Sequence, residues 1–385
     1  MRVLFVSDVY FPRVNGVSTS IRTFRGDLAR LGVETVLVAP EYPGQAPTGE
    51  PDVIRVPGGR VPGDPEDRRM RWRHLYQSLQ SLPADEFDLV HIHTPFIAHY
   101  AAVRYARPRR IPCIATYHTF FEEYLHHYVP ALPRRIGRGL ARTFTRSQCA
   151  DVRALVAPSE PLRQVLQDYG VDTPVHVIPT GLPADRFMPG DARRFRALAA
   201  LPPERPLVTY VGRVAHEKNI DFLVRSFVRV RQAVPEALLV IAGEGPAREG
   251  LRQQVEALGL GRDVHFAGYL DRDTALLDCY AAASVFVFAS RTETQGLVLL
   301  EAMAQGTPVV STAELGTRSI LAPACGAIIA EEREESFAAS VIRVLTDESL
   351  RRTLSEQGRT YARGWSSSAM AARLGELYHS IRRKG

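Results

Sequence analysis

Cysteine, tryptophan and lysine are scarce in this chain. Its four cysteines, Cys113, Cys149, Cys279 and Cys325, form no Cys-x-x-Cys pair in 385 residues, which argues against a zinc ribbon or a dithiol redox motif. They read as reduced, mostly buried small residues. Lysine occurs only at Lys218 and Lys384, so nearly all of the positive charge behind the net +6 rests on arginine. No apolar run approaches the ~18–20 residues that span a bilayer. The first apolar stretch is closed by Asp8, too early for a signal peptide, so the expectation is a chain that begins at residue 1 and stays in the cytoplasm. A hydrophobic content of 45% with 23% charged residues leaves no case for wholesale disorder.

The length suits two domains of ~150–200 residues. Near-continuous apolar runs recur: Arg2 to Ser7, Glu34 to Ala39, Asp88 to His93, Pro112 to Tyr117, Ala154 to Pro158 and Val175 to Ile178. The pattern restarts with Leu207 to Gly212, Leu238 to Ala242, Val264 to Ala267, Val285 to Ala289 and Pro308 to Ser311. Amphipathic helical stretches such as Ser18 to Leu31 and Asp221 to Ala233 lie between them. Apolar strands alternating with helices predict parallel sheets covered on both faces. The fold class is therefore α/β, with two doubly wound Rossmann-like domains. The turn-rich stretch Ile178 to Pro189 separates them, giving expected domains of 1–182 and 183–365. The helical segment 366–385 follows, and it can pack on the second domain or cross back to the first. Ligands of such sheets bind beyond the carboxyl ends of the strands.

Four stretches carry chemistry. In Ser290-Arg-Thr-Glu293-Thr-Gln295-Gly296-Leu297-Val-Leu-Leu-Glu301-Ala-Met-Ala-Gln-Gly306-Thr-Pro308, a strand ends, a glycine opens a helix, and two glutamates are separated by seven residues. Free N–H groups at such a helix start favour an anion, and the two carboxylates can grip two parts of one extended polar ligand. In Val211-Gly212-Arg213-Val-Ala-His-Glu-Lys218-Asn219, an arginine and a lysine follow a strand and can neutralise a diphosphate. Ser7-Asp8-Val-Tyr-Phe-Pro-Arg-Val-Asn15-Gly16 closes the first strand, with Asn15 read as tolerant of positive φ and Gly16 as open to a phosphate. His118 sits just past a strand end and is followed by Glu122-Glu123-Tyr124-Leu-His126-His127-Tyr128. Gly243-Glu-Gly245 and Gly268-Tyr269-Leu270 are further loops after strands, either nucleoside contacts or plain strand-to-helix turns. His91 and His93 lack a third ligand nearby and read as strand-end structural residues, or acceptor contacts at best.

With Glu-x7-Glu and its trailing Glu-Ala-Met-Ala-x-Gly-x-Pro-Val, the chain resembles the retaining nucleotide-sugar glycosyltransferases of family 4, which have the GT-B architecture. The resemblance covers nearly the whole sequence. It implies a hexosyltransferase that takes glucose, galactose or mannose from a nucleoside diphosphate sugar, with no cofactor and no metal required. His118, Glu293, Arg213 and Lys218 would act at the reaction centre. Gly16, Gly245, Tyr269, Leu270, Gln295, Gly296, Leu297 and Glu301 would complete the donor site, with Glu301 on the ribose. The Glu122 to Tyr128 stretch resembles bacterial diacylglycerol glycosyltransferases, which puts Glu122, Glu123, Tyr124 and His127 on the acceptor side.

The expected acceptor is a membrane lipid such as diacylglycerol or a lipid-linked glycan. Arg134, Arg138 and Arg142 recur at helical spacing beside Ile136, Leu140 and Phe144, the pattern of a helix on an anionic membrane surface. That implies a peripheral protein on the inner face of the membrane. Nothing in the sequence reads as nucleic-acid recognition. The alternatives are a transferase with a soluble acceptor or polysaccharide, and a GT-B nucleotide-sugar epimerase. A periplasmic-type binding protein is disfavoured by the missing signal peptide, and a dehydrogenase by the missing third glycine after Gly243-Glu-Gly245.

Overall fold

The computed structural model describes residues 1–42, 52–61, 64–83, 86–118 and 134–382. The chain divides into two compact units, Met1–Gly181 with Ser367–Gly385, and Leu182–Ser366.

The first unit is built on a parallel sheet of seven strands: β1 (Arg2–Val6), β2 (Glu34–Pro40), β3 (Val53–Val56), β6 (Leu89–Ile92), β7 (Cys113–Thr116), β8 (Ala154–Ala157) and β9 (Val175–Val177). Their order is β3-β2-β1-β6-β7-β8-β9. Between β3 and β6 runs an antiparallel hairpin, β4 (Gly58–Val61) with β5 (Asp64–Met70). Val3, Leu4, Phe5 and Val6 of β1 are all buried, so both faces of the sheet are covered. The strand order reverses where β1 lies between β2 and β6, which makes their carboxyl ends the place for a ligand.

The helix Gly16–Arg30 follows β1 because Asn15 caps it. The Asn15 side chain accepts a hydrogen bond from the Ser18 N–H at 2.9 Å. Its φ of −156° is extended, so the expected positive-φ role for Asn15 is replaced by a cap. This helix buries Ile21, Phe24 and Leu28 against Ala371, Leu374, Leu377 and Tyr378 of the last helix, Ser367–Ile381. The C-terminal helix therefore groups with the first unit. Burying Leu374 fully contributes about 1.5–3 kcal/mol, and Leu374→Ala would leave a cavity at that contact.

The second unit holds a parallel sheet of six strands in the order β12-β11-β10-β13-β14-β15. They are β10 (Leu207–Val211), β11 (Leu238–Ala242), β12 (Val264–Gly268), β13 (Val285–Phe288), β14 (Val309–Ser311) and β15 (Ala327–Ile329). Its switch point lies between β10 and β13. The stretch read as a plain linker is partly built into this unit. Arg186 is 2% exposed and reaches the Arg272 carbonyl, while the Gln305 amide donates to the Arg186 and Met188 carbonyls at 2.8 and 2.9 Å.

Candidate functional site

Each sheet ends in a cluster of polar side chains at its switch point. In the first unit Asp8 follows β1 and Thr94 follows β6. The Asp8 N–H donates to the Thr94 hydroxyl at 2.7 Å, that hydroxyl donates to the Asp8 carboxylate at 2.8 Å, and the Ala98 N–H donates to it at 3.1 Å. Burial pushes the Asp8 carboxyl up to about 6, against the lowering effect of these hydrogen bonds.

Three imidazoles lie beside this group. His91 Nδ1 meets the Tyr378 hydroxyl at 2.6 Å and its Nε2 meets the Thr116 hydroxyl at 2.7 Å. The His91 and His93 rings are 4.1 Å apart, and Phe5 packs on both. His93 Nδ1 faces His118 Nε2 at 3.5 Å. Burial holds His91 and His93 well below the ordinary histidine range and takes His118 down to about 4. All three are neutral near pH 7. They can exchange hydrogen bonds with hydroxyl groups but cannot neutralise a phosphate. Gly16 is the first residue of its helix, and a Cβ there would meet nothing within 4 Å. Glu122, Glu123, Tyr124 and His127 lie outside the described residues.

The second sheet end is charged. β10 stops at Gly212, and the loop after it places Arg213 3.6 Å from Glu217 and Lys218 2.7 Å from Glu293. All four side chains are half-buried, at 16–23% exposure, so the pairs can be exchanged for a ligand at modest cost. Asn219 fixes this loop to the end of β13 by donating to the Ala289 carbonyl at 3.2 Å, with a left-handed φ of 56°. Gly296, at φ 94°, turns the chain into the helix Leu297–Ala304, whose first turn opens beside Glu293 and the buried Gln295.

Gly243 and Gly245 have backbone reasons to be glycine. Both have positive φ, and a Cβ would fall 1.9 Å from the Gly212 carbonyl oxygen and 2.3 Å from that of Val214. The loop after β11 is thus pressed onto the loop that carries Arg213. Tyr269 is 50% exposed at the end of β12, while Leu270 packs against the core.

Glu301 is 3% exposed in the middle of its helix. It is ion-paired to Arg272 and accepts a hydrogen bond from the Tyr280 hydroxyl at 3.0 Å. Neither partner stands out in the sequence. Arg272 sits in an Asp-x-Asp triplet, a pattern that some transferases use to hold a metal. Here Asp271 instead caps the helix Ala275–Ala282 by accepting from the Thr274 and Ala275 N–H groups, and Asp273 lies 3.6 Å from Arg186. Among the described residues, no group of three or more His, Cys, Asp or Glu side chains is placed to hold a metal ion. The sequence does not single out Asp8 or Asn219 as site candidates. The signal for Asp8 was its place at the end of an apolar strand.

The helix Arg134–Ala150 exposes Arg142 and Arg146, with the Arg142 guanidinium 5.2 Å from the centre of the Tyr169 ring. Phe144, expected on a membrane-facing stripe, packs against the core of the first unit instead. No helix among the described residues is long and apolar enough to cross a membrane.

Two family models match the chain, Glycosyltransferase Family 4 over residues 14–186 and Glycosyl transferases group 1 over residues 191–361. It is 32% identical over 324 residues to the alpha-monoglucosyldiacylglycerol synthase of Streptococcus pneumoniae, covering 81% of this chain and 71% of that protein. It is 28% identical over 340 residues to the GDP-mannose-dependent alpha-mannosyltransferase of Mycolicibacterium smegmatis, covering 84% and 82%. Among solved structures, sucrose-phosphate synthase from Thermosynechococcus elongatus superposes with a TM-score of 0.82 at 22% identity, over 99% of this chain and 98% of that one.

Proposed function

This chain belongs to the family 4 glycosyltransferases, and we propose that it moves a hexose, with retention, from a nucleoside diphosphate sugar to the hydroxyl of a membrane lipid such as diacylglycerol. Its two parallel-sheet units have the GT-B fold, and the chain is a glycosyltransferase. The observation that carries the donor assignment is the pair of exchangeable ion pairs, Lys218 with Glu293 and Arg213 with Glu217, beside a helix N-terminus at the switch point of the second sheet.

In the mechanism proposed here, the donor diphosphate takes over Arg213 and Lys218 from their carboxylates. Glu293, released from Lys218, accepts from hydroxyls of the sugar. The two cations and the helix start at Leu297 then stabilise charge growing on the leaving phosphate, an effect worth several kcal/mol in a site already arranged for it. Gln295, Gly296 and Leu297 supply backbone contacts. Glu301 holds the ribose, and Gly245, Tyr269 and Leu270 border the nucleoside. On the first unit, Gly16 offers its backbone to the phosphate and neutral His118 exchanges hydrogen bonds with the sugar. The acceptor attacks from the face the diphosphate leaves, and that phosphate takes the acceptor's proton. No metal or cofactor is assigned a part.

The lipid acceptor is favoured by the relative named as a glucosyldiacylglycerol synthase. Exposed Arg142 and Arg146 favour docking of the first unit on an anionic surface, by charge rather than by insertion of Phe144. The relative named as GDP-mannose-dependent keeps mannose open beside glucose and galactose.

Calorimetry with UDP-glucose, UDP-galactose and GDP-mannose identifies the donor, and mass spectrometry of products formed with diacylglycerol in vesicles tests the acceptor. A hexosyl lipid is expected. Transfer to soluble sugars or polyols alone would replace the lipid reading, and conversion of the nucleotide sugar without acceptor would mark an epimerase. Flotation with anionic vesicles should show salt-sensitive binding that weakens when Arg134, Arg138 and Arg142 are changed to Glu. Equal flotation of wild type and variant would remove the docking surface.

A further inference from the structure

A carboxylate as deeply buried as Glu301 needs a compensating charge and full use of its hydrogen-bonding capacity. Arg272 supplies the charge. Its guanidinium pairs with Oε1 of Glu301, while the Tyr280 hydroxyl donates to Oε2 at 3.0 Å. A carboxylate offers about four lone-pair positions. One on each oxygen is taken, and one on each oxygen is left.

The arginine is itself held from several sides. Its carbonyl accepts from buried Arg186. The preceding Asp271 is fixed as the cap of the helix Ala275–Ala282. The side chain is only 14% exposed. This short loop also carries Tyr269 and Leu270 at the end of β12, so one segment joins the proposed nucleoside border to the buried carboxylate.

We propose that Arg272 is a positioning residue for the donor, holding Glu301 so that its two remaining acceptor positions face a pair of neighbouring hydroxyls on the ribose. The proposal rests on the assignment of Glu301 to the ribose and extends it to a residue 29 positions away. A guanidinium on one oxygen and a phenol on the other fix the plane of the carboxylate. A diol then meets an acceptor already oriented and already desolvated. Without Arg272 the carboxylate would lose its counter-charge and could turn about its last torsion, and the gain from the second hydroxyl would be lost first.

The test is calorimetric binding of UDP and GDP, taking whichever binds the wild type more tightly, together with its 2′-deoxy and 3′-deoxy counterparts. The proteins are the wild type, Arg272→Gln, Arg272→Lys and Glu301→Gln, each with its thermal midpoint recorded. Arg272→Gln should weaken the ribose ligand about tenfold, the scale of one charge-assisted hydrogen bond, and the deoxy ligands by less than about twofold. Arg272→Lys should fall between the wild type and Arg272→Gln. Equal losses for ribose and deoxy ligands would mark a merely structural arginine and overturn the proposal. A ribose-dependent loss in Glu301→Gln with none in Arg272→Gln would overturn the role of Arg272 and leave Glu301 on the ribose. No ribose-dependent loss in Glu301→Gln would remove the ribose assignment and the proposal with it. Should Arg272→Gln fail to fold, Arg272→Lys carries the test, and wild-type affinity for the ribose ligand would then overturn the proposal.

Discussion

The two sheets end in opposite chemistry. Beyond β1 and β6 the first unit gathers three neutral imidazoles, with His91 and His93 buried and His118 half-buried, beside an Asp8 carboxyl that burial pushes up to about 6 and that takes up its proton only below neutral pH. Beyond β10 and β13 the second unit gathers full charges, held in pairs at a half-buried surface. The strands behind both clusters are equally buried and equally parallel, so the contrast lies in the loops. Deep burial drives titratable groups to their uncharged forms, and such groups can sort hydroxyls. Partial burial with a partner keeps ions charged and replaceable, and such groups can receive a phosphate. On the proposed reading, one fold repeated twice becomes a sugar-side surface lined by neutral imidazoles and a leaving-group surface lined by cations.

The sharpest way to break that contrast is to remove the charges. Arg213→Ala and Lys218→Ala should each lower kcat/KM by at least ~100-fold, the scale of a lost transition-state charge contact. On the proposed reading Lys218→Ala should be the worse of the two, since it removes the closer ion pair, 2.7 Å against 3.6 Å, and with it the cation nearest Glu293. His118→Ala should cost about tenfold, since a neutral hydrogen bond is lost rather than a charge. Steady-state kinetics with the donor identified by calorimetry would measure all three. A larger loss at His118 than at either cation would reverse the roles given to the two sheet ends.

Acid offers the next test, on stability. The folded-state pKa values of His91, His93 and His118 are lowered by burial, so the unfolded chain takes up protons first as pH falls. His99 is lowered too, chiefly by burial and against the raising effect of Asp151. Their contribution is complete above about 6.5 and is lost downward from there, reaching about 4 for His118. Asp8 works the other way, because its raised pKa makes the protonated form the stable one and its contribution grows as pH falls from about 6. Several imidazoles outweigh one carboxyl. From pH 7.5 to 5.5 the first unit should lose roughly 3 kcal/mol, with each group limited to about 1.4 kcal/mol per pH unit. The second unit has one lowered imidazole, half-buried His265, and should lose less. Hydrogen exchange at the two pH values, corrected for intrinsic rates, would resolve the units. Equal loss of protection in both would mean that the buried histidines do not set the acid limit.

How much of this was legible in the sequence follows from the range of the interactions. The parallel sheets were, because a strand buried on both faces leaves an apolar run that no neighbouring residue can disguise. The charged cluster was also visible, since Arg213 and Lys218 lie on one loop and Glu293 and Glu301 bracket one helix start. Strand β15, with three residues, and the β4–β5 hairpin were too short or too polar to show. Asn15 was misread because asparagine suits both a left-handed turn and an N-cap. The donor of its bond, the Ser18 N–H three residues on, separates the two. Gly243 and Gly245 left two readings open, since a glycine pressed against another backbone looks in sequence like any turn glycine. What could not be read were partners far apart in the chain. Arg272 reaches Glu301 across 29 residues, and Tyr378 reaches His91 across 287.

That last contact gives the smallest expected effect and the most local one. Tyr378 is fully buried on the returning helix, and its hydroxyl meets His91 Nδ1 at 2.6 Å. Tyr378→Phe keeps the ring and its packing against Ile21 and Leu28 while deleting one oxygen. His91 can then place its proton on Nε2 and donate to Thr116, which leaves Nδ1 as a buried acceptor with nothing to accept from. An orphaned neutral acceptor costs about 1–2 kcal/mol. The thermal midpoint of the first unit should fall by roughly 2–8 °C, at about 2–4 °C per kcal/mol for a unit of this size. Affinity for UDP or GDP should stay within about twofold, because the charged cluster is in the second unit and shares no partner with His91. Calorimetric unfolding read beside nucleotide titration separates these outcomes. A fall in both midpoints together, or a loss of nucleotide affinity, would show that the neutral and charged sheet ends are coupled, and the division of labour between them would have to be redrawn around the C-terminal helix.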